Sequence, residues 1–182
     1  MAIVPLANGF EEIEAITIID VLRRANIPVV TAAVGENPVK GAHGITVTAD
    51  VQLTDVNIAA ENCVVLPGGM PGAENLKNDS RVIELIKNVY NSKGIVAAIC
   101  AAPIVLAAAG VLTGKKVTCY PGFEGQLTNG VYTGKPVEAT DDGRIITGEA
   151  PGAAMEFALK VVEVYLSKQS KETTANELRF HS

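Results

Sequence analysis

Short apolar runs, each cut off by a turn-forming segment, constrain this chain more than any other feature. Ile3 to Leu6 is broken by Ala7-Asn8-Gly9, Asn62 to Leu66 by Pro67-Gly68-Gly69, and Gly94 to Ile99 ends at Cys100. A strand with one wet face alternates apolar and polar residues. A run without alternation is covered on both faces, as in a parallel sheet packed between helices. The side-chain palette agrees. Hydrophobic residues make up 48% of the sequence but aromatics only 4%, so the core must be built from Val, Ile, Leu and Ala.

Helical patterns fall between these runs. One starts near Phe10, with Ile13, Ile16, Ile19 and Leu22 predicted as its buried face, and ends at Asn26. A second carries Val82, Leu85, Ile86 and Val89, with Ser80 as its expected N-cap. An Ala-rich helix opens at Ala101-Ala102-Pro103 and stops at Gly110, where proline suits the first turn because its missing N–H has no partner there. The last runs from Pro151 or Gly152 to Tyr165. Further strands are predicted at Ile27 to Val34, Gly44 to Thr48 and Lys116 to Cys119. Val137 to Ala139 and Arg144 to Thr147 read as a hairpin around Asp142-Gly143. The alternation predicts an α/β doubly wound sandwich with a mainly parallel central sheet. No repeat, linker or break in composition divides the 182 residues, so one domain over residues 1–182 is expected, with a polar tail from about residue 167 that frays.

The net charge of −5 argues against a nucleic-acid surface, and the basic pairs Arg23-Arg24 and Lys115-Lys116 are too short to contradict it. No run approaches the ~18 apolar residues of a membrane helix, and the amino-terminus has no secretory pattern. Three cysteines, an odd number without metal-like spacing, suggest free thiols in a reducing, cytoplasmic setting, and no metal is expected.

Cys100 carries the chemical expectation. A strand that ends on one polar atom and turns at once into a helix puts that atom at the carboxyl edge of the sheet, where open α/β sheets bind ligands. Free amides at the helix start favour a thiolate, so the thiol is expected below its ordinary value of about 8.5. The same pattern also suits a small buried core residue. Cys63 and Cys119 are read as core or supporting residues.

Two loops should reach the same edge. The first carries Glu11, Glu12 and Glu14, favourable at any helix start. Because Ile13 and Ile16 are taken as buried, Glu14 is placed near the boundary of the buried face and Glu11 and Glu12 in solvent. A Glu beside a thiolate would hold a proton and donate it in a hydrogen bond. The second loop, Pro67 to Gly72, would bring bare backbone N–H groups against a ligand, or be an ordinary turn.

Leu6 to Ala15, Val65-Leu66-Pro67-Gly68-Gly69, Ala97 to Pro103, and Pro151-Gly152 with Glu156-Phe157-Ala158 together resemble the ThiJ/PfpI superfamily, in the branch of the Parkinson-disease-associated deglycase. The likeness runs from about Ile3 to Leu166. It implies a flavodoxin-like three-layer sandwich, a homodimer, and an oxidisable Cys100 hydrogen-bonded by Glu14. The backbone amides of Gly69 and Ala101 would hold an anion, with Gly68 beside them. It implies cofactor-free conversion of a small 2-oxoaldehyde such as methylglyoxal to lactate, or repair of glycated protein or nucleotide. The alternative is a non-enzymatic redox sensor and redox-regulated chaperone.

The chain also departs from its relatives. Where many carry a His before a Pro, this chain has Tyr120, a hydrogen-bond donor but a poor base at neutral pH. Ala101 stands where the protease-like branch has His. A glutamine amidotransferase triad would need His43 or His181, the latter in the polar tail. His43 aligns near a pocket-edge Arg of the relatives. It is read as a surface-turn residue, with pocket lining as the alternative.

Overall fold

The apolar runs become the central strands of one seven-stranded sheet. The computed structural model describes residues 1–56, 63–140 and 142–181, so Asn62, expected to begin the second run, lies outside the described residues. In chain order the strands are β1 (Ala2–Ala7), β2 (Val29–Val34), β3 (Val39–Lys40), β4 (Thr46–Val47), β5 (Val51–Gln52), β6 (Cys63–Leu66), β7 (Ile95–Ile99), β8 (Lys116–Val117), β9 (Val131–Tyr132), β10 (Val137–Ala139) and β11 (Ile145–Gly148). The helices are α1 (Glu12–Arg24), α2 (Gly72–Asn78), α3 (Ser80–Asn91), α4 (Pro103–Ala108), α5 (Ala154–Tyr165) and α6 (Lys168–Glu177).

The sheet runs β10-β11-β7-β6-β1-β2-β5. All its pairings are parallel except β10 with β11, the predicted hairpin. Every residue of β1 and β6 is buried, as unbroken apolar runs demand. From β1 the chain winds outward to β2, and from β6 it winds the other way to β7. With right-handed crossovers, opposite directions put helices on opposite faces. Accordingly α1 packs on α5 and α5 on α6 in one layer, while α2, α3 and α4 pack together in the other. The result is a three-layer α/β sandwich. The strands β3 and β4 form a separate two-stranded ribbon, as do β8 and β9.

Three expectations about the helices are corrected. On α1, Ile13 and Ile16 face outward, at 59% and 45% exposure. The buried stripe is Ala15, Ile18, Ile19 and Leu22, an i, i+3, i+4, i+7 set that fits the helix period better than the one rooted at Ile13. The N-cap of α3 is Asp79 rather than Ser80, its carboxylate accepting the Arg81 N–H at 2.9 Å. The polar tail is not frayed. Ser167 caps α6 by accepting the Ser170 N–H at 3.1 Å, Thr174 is buried, and Leu178 and Phe180 pack against the core. Helix α2, between the Pro67–Gly72 loop and α3, was not foreseen.

Candidate active site

Because β7, β6 and β1 are neighbours in the sheet, the loops that leave their carboxyl ends meet. The loop after β7 begins with Cys100, at a left-handed φ of 63°. That conformation costs a non-glycine residue on the order of 1–3 kcal/mol and persists only where surroundings enforce it. Here the Cys100 N–H donates to the Gly148 carbonyl at 2.9 Å, and the Cys100 carbonyl accepts the Tyr120 N–H at 2.8 Å. Helix α4 starts three residues later at Pro103. The strand-to-helix elbow expected from the sequence is present.

The β6 loop approaches this elbow because Gly68 has no side chain. A Cβ there would lie 2.8 Å from both the Cys100 Cβ and the Ile99 carbonyl oxygen. The β1 loop is tied to the β6 loop by the Glu11 N–H donating to the Gly68 carbonyl at 2.9 Å. One turn into α1, the fully buried Glu14 accepts the Gly68 N–H on Oε2 at 2.7 Å. Its other oxygen, Oε1, is buried with no hydrogen-bond partner. The Cys100 thiol interacts with this carboxyl, and the backbone N–H groups of Gly69 and Ala101 interact with the sulfur. Thus the fold brings together Cys100, Glu14, Gly68, Gly69 and Ala101.

Burial pushes Glu14 up to about 7, against the opposing pull of the Gly68 amide. Burial, and then the charge of the Glu14 carboxylate, push the Cys100 thiol up to about 12; the Gly69 and Ala101 amides pull the other way with less effect. This corrects the expectation of a lowered thiol. Two acidic groups share an enclosed space, so the first proton taken up by either is held tightly. The short α4, offset from the sulfur by three residues, does not reverse the burial. Cys100 differs from the other thiols in access. It is 8% exposed, whereas Cys63 and Cys119 are wholly enclosed and are pushed up to about 12 and about 11, in each case first by burial.

The remaining sequence candidates are placed differently. Tyr120 is held beside Cys100 through its backbone, and its side chain is exposed. His43 sits in the turn between β3 and β4, where its ring meets Glu12 and Glu11 rather than Cys100. Its pKa is raised first by the hydrogen bond to Glu12. Glu11 and Glu12, expected in solvent, are buried at 9% and 4% exposure. Glu12 reaches into the ribbon because Gly41 leaves room for its side chain, and there it accepts the His43 and Ile45 N–H groups. Burial opposes its charge, but these donors, its own N–H and the His43 ring hold the carboxyl below its usual range. Sequence reasoning missed the Gly148 carbonyl that fixes the elbow. Only the adjacency of β11 and β7 reveals it.

The family model described as the DJ-1/PfpI family matches residues 1–164. Protein dj-1beta of Drosophila melanogaster is 40% identical over 178 residues, covering 97% of this chain and 95% of that protein. A Caenorhabditis elegans protein named glutathione-independent glyoxalase DJR-1.2 is 39% identical over 153 residues, covering 84% of this chain and 81% of that protein. Among solved structures, oxidized Toxoplasma gondii DJ-1 superposes with a TM-score of 0.93 at 36% identity, covering 100% of this chain and 98% of that one.

Proposed function

The chain belongs to the DJ-1/PfpI family, and from that premise we propose that it is a cysteine-dependent, cofactor-free enzyme that converts small 2-oxoaldehydes such as methylglyoxal to hydroxy acids. The observation that carries the reading is the fully buried Glu14 carboxyl, which interacts with Cys100 beside the Gly69 and Ala101 amides and is pushed up to about 7 by its burial. An acid–base group works best when its pKa lies near the operating pH. The name of the Caenorhabditis elegans relative points to the same chemistry.

The electrons balance without an external oxidant. Glu14 accepts the thiol proton as sulfur bonds to the aldehyde carbon, and the new oxyanion is held by the two amides and then protonated, giving a hemithioacetal. Glu14 next moves the proton from the former aldehyde carbon to the neighbouring ketone carbon through an enediol. The first carbon is thereby oxidised to a thioester and the second reduced to an alcohol. Water cleaves the thioester, releasing lactate and restoring the thiol. Repair of glycated protein or nucleotide would use the same hemithioacetal chemistry on a bound adduct.

A homodimer in a reducing, cytoplasmic setting belongs to this reading. The homodimer is supported by the outward Ile13 and Ile16 on α1 and by exposed Ile45 on the ribbon that Glu12 ties to α1. A second reading has its own support. Amides aimed at the Cys100 sulfur would also stabilise a sulfinate, as a redox sensor and redox-regulated chaperone requires. Lactate formation from methylglyoxal, compared with Cys100→Ala, tests the enzymatic reading. Enzymatic turnover requires lactate that disappears in the variant. Lactate formation equal in both, or absent from both, would overturn it.

A further inference from the structure

Strand β11 is buried along its whole length, and Thr147 is its one polar side chain. Valine has nearly the same shape and is the ordinary choice for a strand covered on both faces. A buried hydroxyl is costly unless it is hydrogen-bonded. That of Thr147 has a partner from far along the chain: its Oγ1 accepts the Thr118 N–H at 2.9 Å, in fully buried surroundings.

The bond gains its meaning from where residues 118–120 stand. Among the described residues β8 pairs with β9 alone, and that pairing ends at Val117. Thr118 therefore leaves the ribbon needing an acceptor for its N–H, and Thr147 supplies it. The hydroxyl of Thr118 itself is buried with no hydrogen-bond partner, so it gives the segment no polar tie. Two residues on, the Tyr120 N–H donates to the Cys100 carbonyl at 2.8 Å. On the other side of the elbow Gly148, next to Thr147, accepts the Cys100 N–H at 2.9 Å. Both backbone groups of Cys100 are thus held from consecutive residues of β11, one directly and one through residues 118–120. Strand β11 is in turn fixed on β7, where Thr147 pairs with Ala98 and Gly148 with Ile99. We propose that Thr147 is a positioning residue for the cysteine reaction put forward above: its hydroxyl anchors residues 118–120 and, through them, the left-handed turn at Cys100. The turn sets where the sulfur lies relative to Glu14 and to the Gly69 and Ala101 amides.

Thr147→Val keeps the shape of the side chain and leaves the Thr118 N–H buried and unpaired. Local opening of the segment should then rise about tenfold or more. The thiols report it. Cys119 lies inside the segment and Cys100 beside it, whereas Cys63 pairs with Ile95 at the opposite end of β7. Burial and the Glu14 charge hold the Cys100 thiol up to about 12, so relaxing the turn speeds its alkylation while it slows the proposed reaction. Iodoacetamide labelling at pH 8, read residue by residue by mass spectrometry, tests this. Thr147→Val should label Cys119 and Cys100 about tenfold faster than the native chain, with Cys63 still protected. Thr147→Ser keeps the oxygen and should return both rates to near the native values. Thr118→Val removes only the unpartnered hydroxyl and should leave both thiols protected. On methylglyoxal, Thr147→Val should lower kcat about 100-fold with little change in KM. Positioning by Thr147 is overturned if Thr147→Val labels Cys119 and Cys100 at native rates, if Thr147→Ser labels as fast as Thr147→Val, or if Thr118→Val labels as fast. It is overturned equally if Cys63 is released with the others, or if Thr147→Val keeps the native kcat. A native chain without turnover would defeat the proposed reaction instead, and the labelling contrast then decides on Thr147 alone.

Discussion

At the scale of single residues, the site depends on a carboxyl and on the absence of a side chain. Glu14→Gln keeps the size of the group and an oxygen for the Gly68 N–H, but cannot take up the Cys100 proton. On the proposed reaction it should lower kcat by roughly 10²–10⁴, the range typical of positioned acid–base groups, with little change in KM. Steady-state kinetics on methylglyoxal checks this, and near-native kcat would remove Glu14 from proton transfer. Gly68→Ala acts differently. Its Cβ would stand 2.8 Å from the Cys100 Cβ and the Ile99 carbonyl oxygen, and neither can move away without the backbone that carries it. The loop must shift, which should cost about 1–3 kcal/mol in stability. It should also cost about 100-fold in kcat/KM, because the amide of Gly69 moves with it. Gly152→Ala, with open space around the added methyl, serves as the neutral control. Equal melting temperatures and rates for the two variants would show that the close approach of Gly68 is unimportant.

At the scale of elements, legibility followed burial on two sides. The runs at Ile3–Leu6 and Gly94–Ile99 have no polar alternation to misplace, and both became central strands where expected. Helix α1 was harder because two apolar stripes share it. Ala15, Ile18, Ile19 and Leu22 face the core, while Ile13 and Ile16 form a second stripe that periodicity alone could not rank. That choice carried Glu11 and Glu12 to the wrong environment and put Glu14 near the boundary of the buried face, whereas the fold buries it completely. The ribbon contacts that bury Glu12 come from residues about thirty positions away and leave no local signal. The outward stripe now has a use. Exposed isoleucines on one helix face suit a symmetric contact between two copies of the chain. Ile16→Glu should therefore shift a dimer toward monomer without lowering secondary structure. Analytical ultracentrifugation across a concentration series reads this, and an unchanged association constant would place any dimer contact on another face.

At the scale of the whole molecule, the buried Glu14 links folding to pH with an uncommon sign. Its carboxyl titrates near 4.5 when unfolded and is pushed up to about 7 by burial in the fold. Below pH 4.5 both states hold the proton. Between 4.5 and 7 the folded chain keeps a proton that the unfolded chain has released, so the favourable contribution of the protonated group is lost as pH rises. A shift of this size corresponds to on the order of 3 kcal/mol, complete by about pH 8. The carboxyls held below their usual range, among them Glu12, Asp50, Asp79 and Asp142, act in the opposite direction, but only as pH falls toward and below about 4.5. The thiols, pushed upward, matter only in alkaline solution. Glu14→Gln removes one titration and leaves the rest, so the difference between the two proteins isolates it. The melting temperature of Glu14→Gln relative to the native chain should rise by roughly 6–12 °C between pH 5 and pH 8, at about 2–4 °C per kcal/mol for a chain of this length. Calorimetric melts at half-unit intervals give the curve directly. If the two profiles run parallel from pH 5 to 8, Glu14 is not held protonated by its burial, and the near-neutral acid–base group on which the proposed reaction relies is absent.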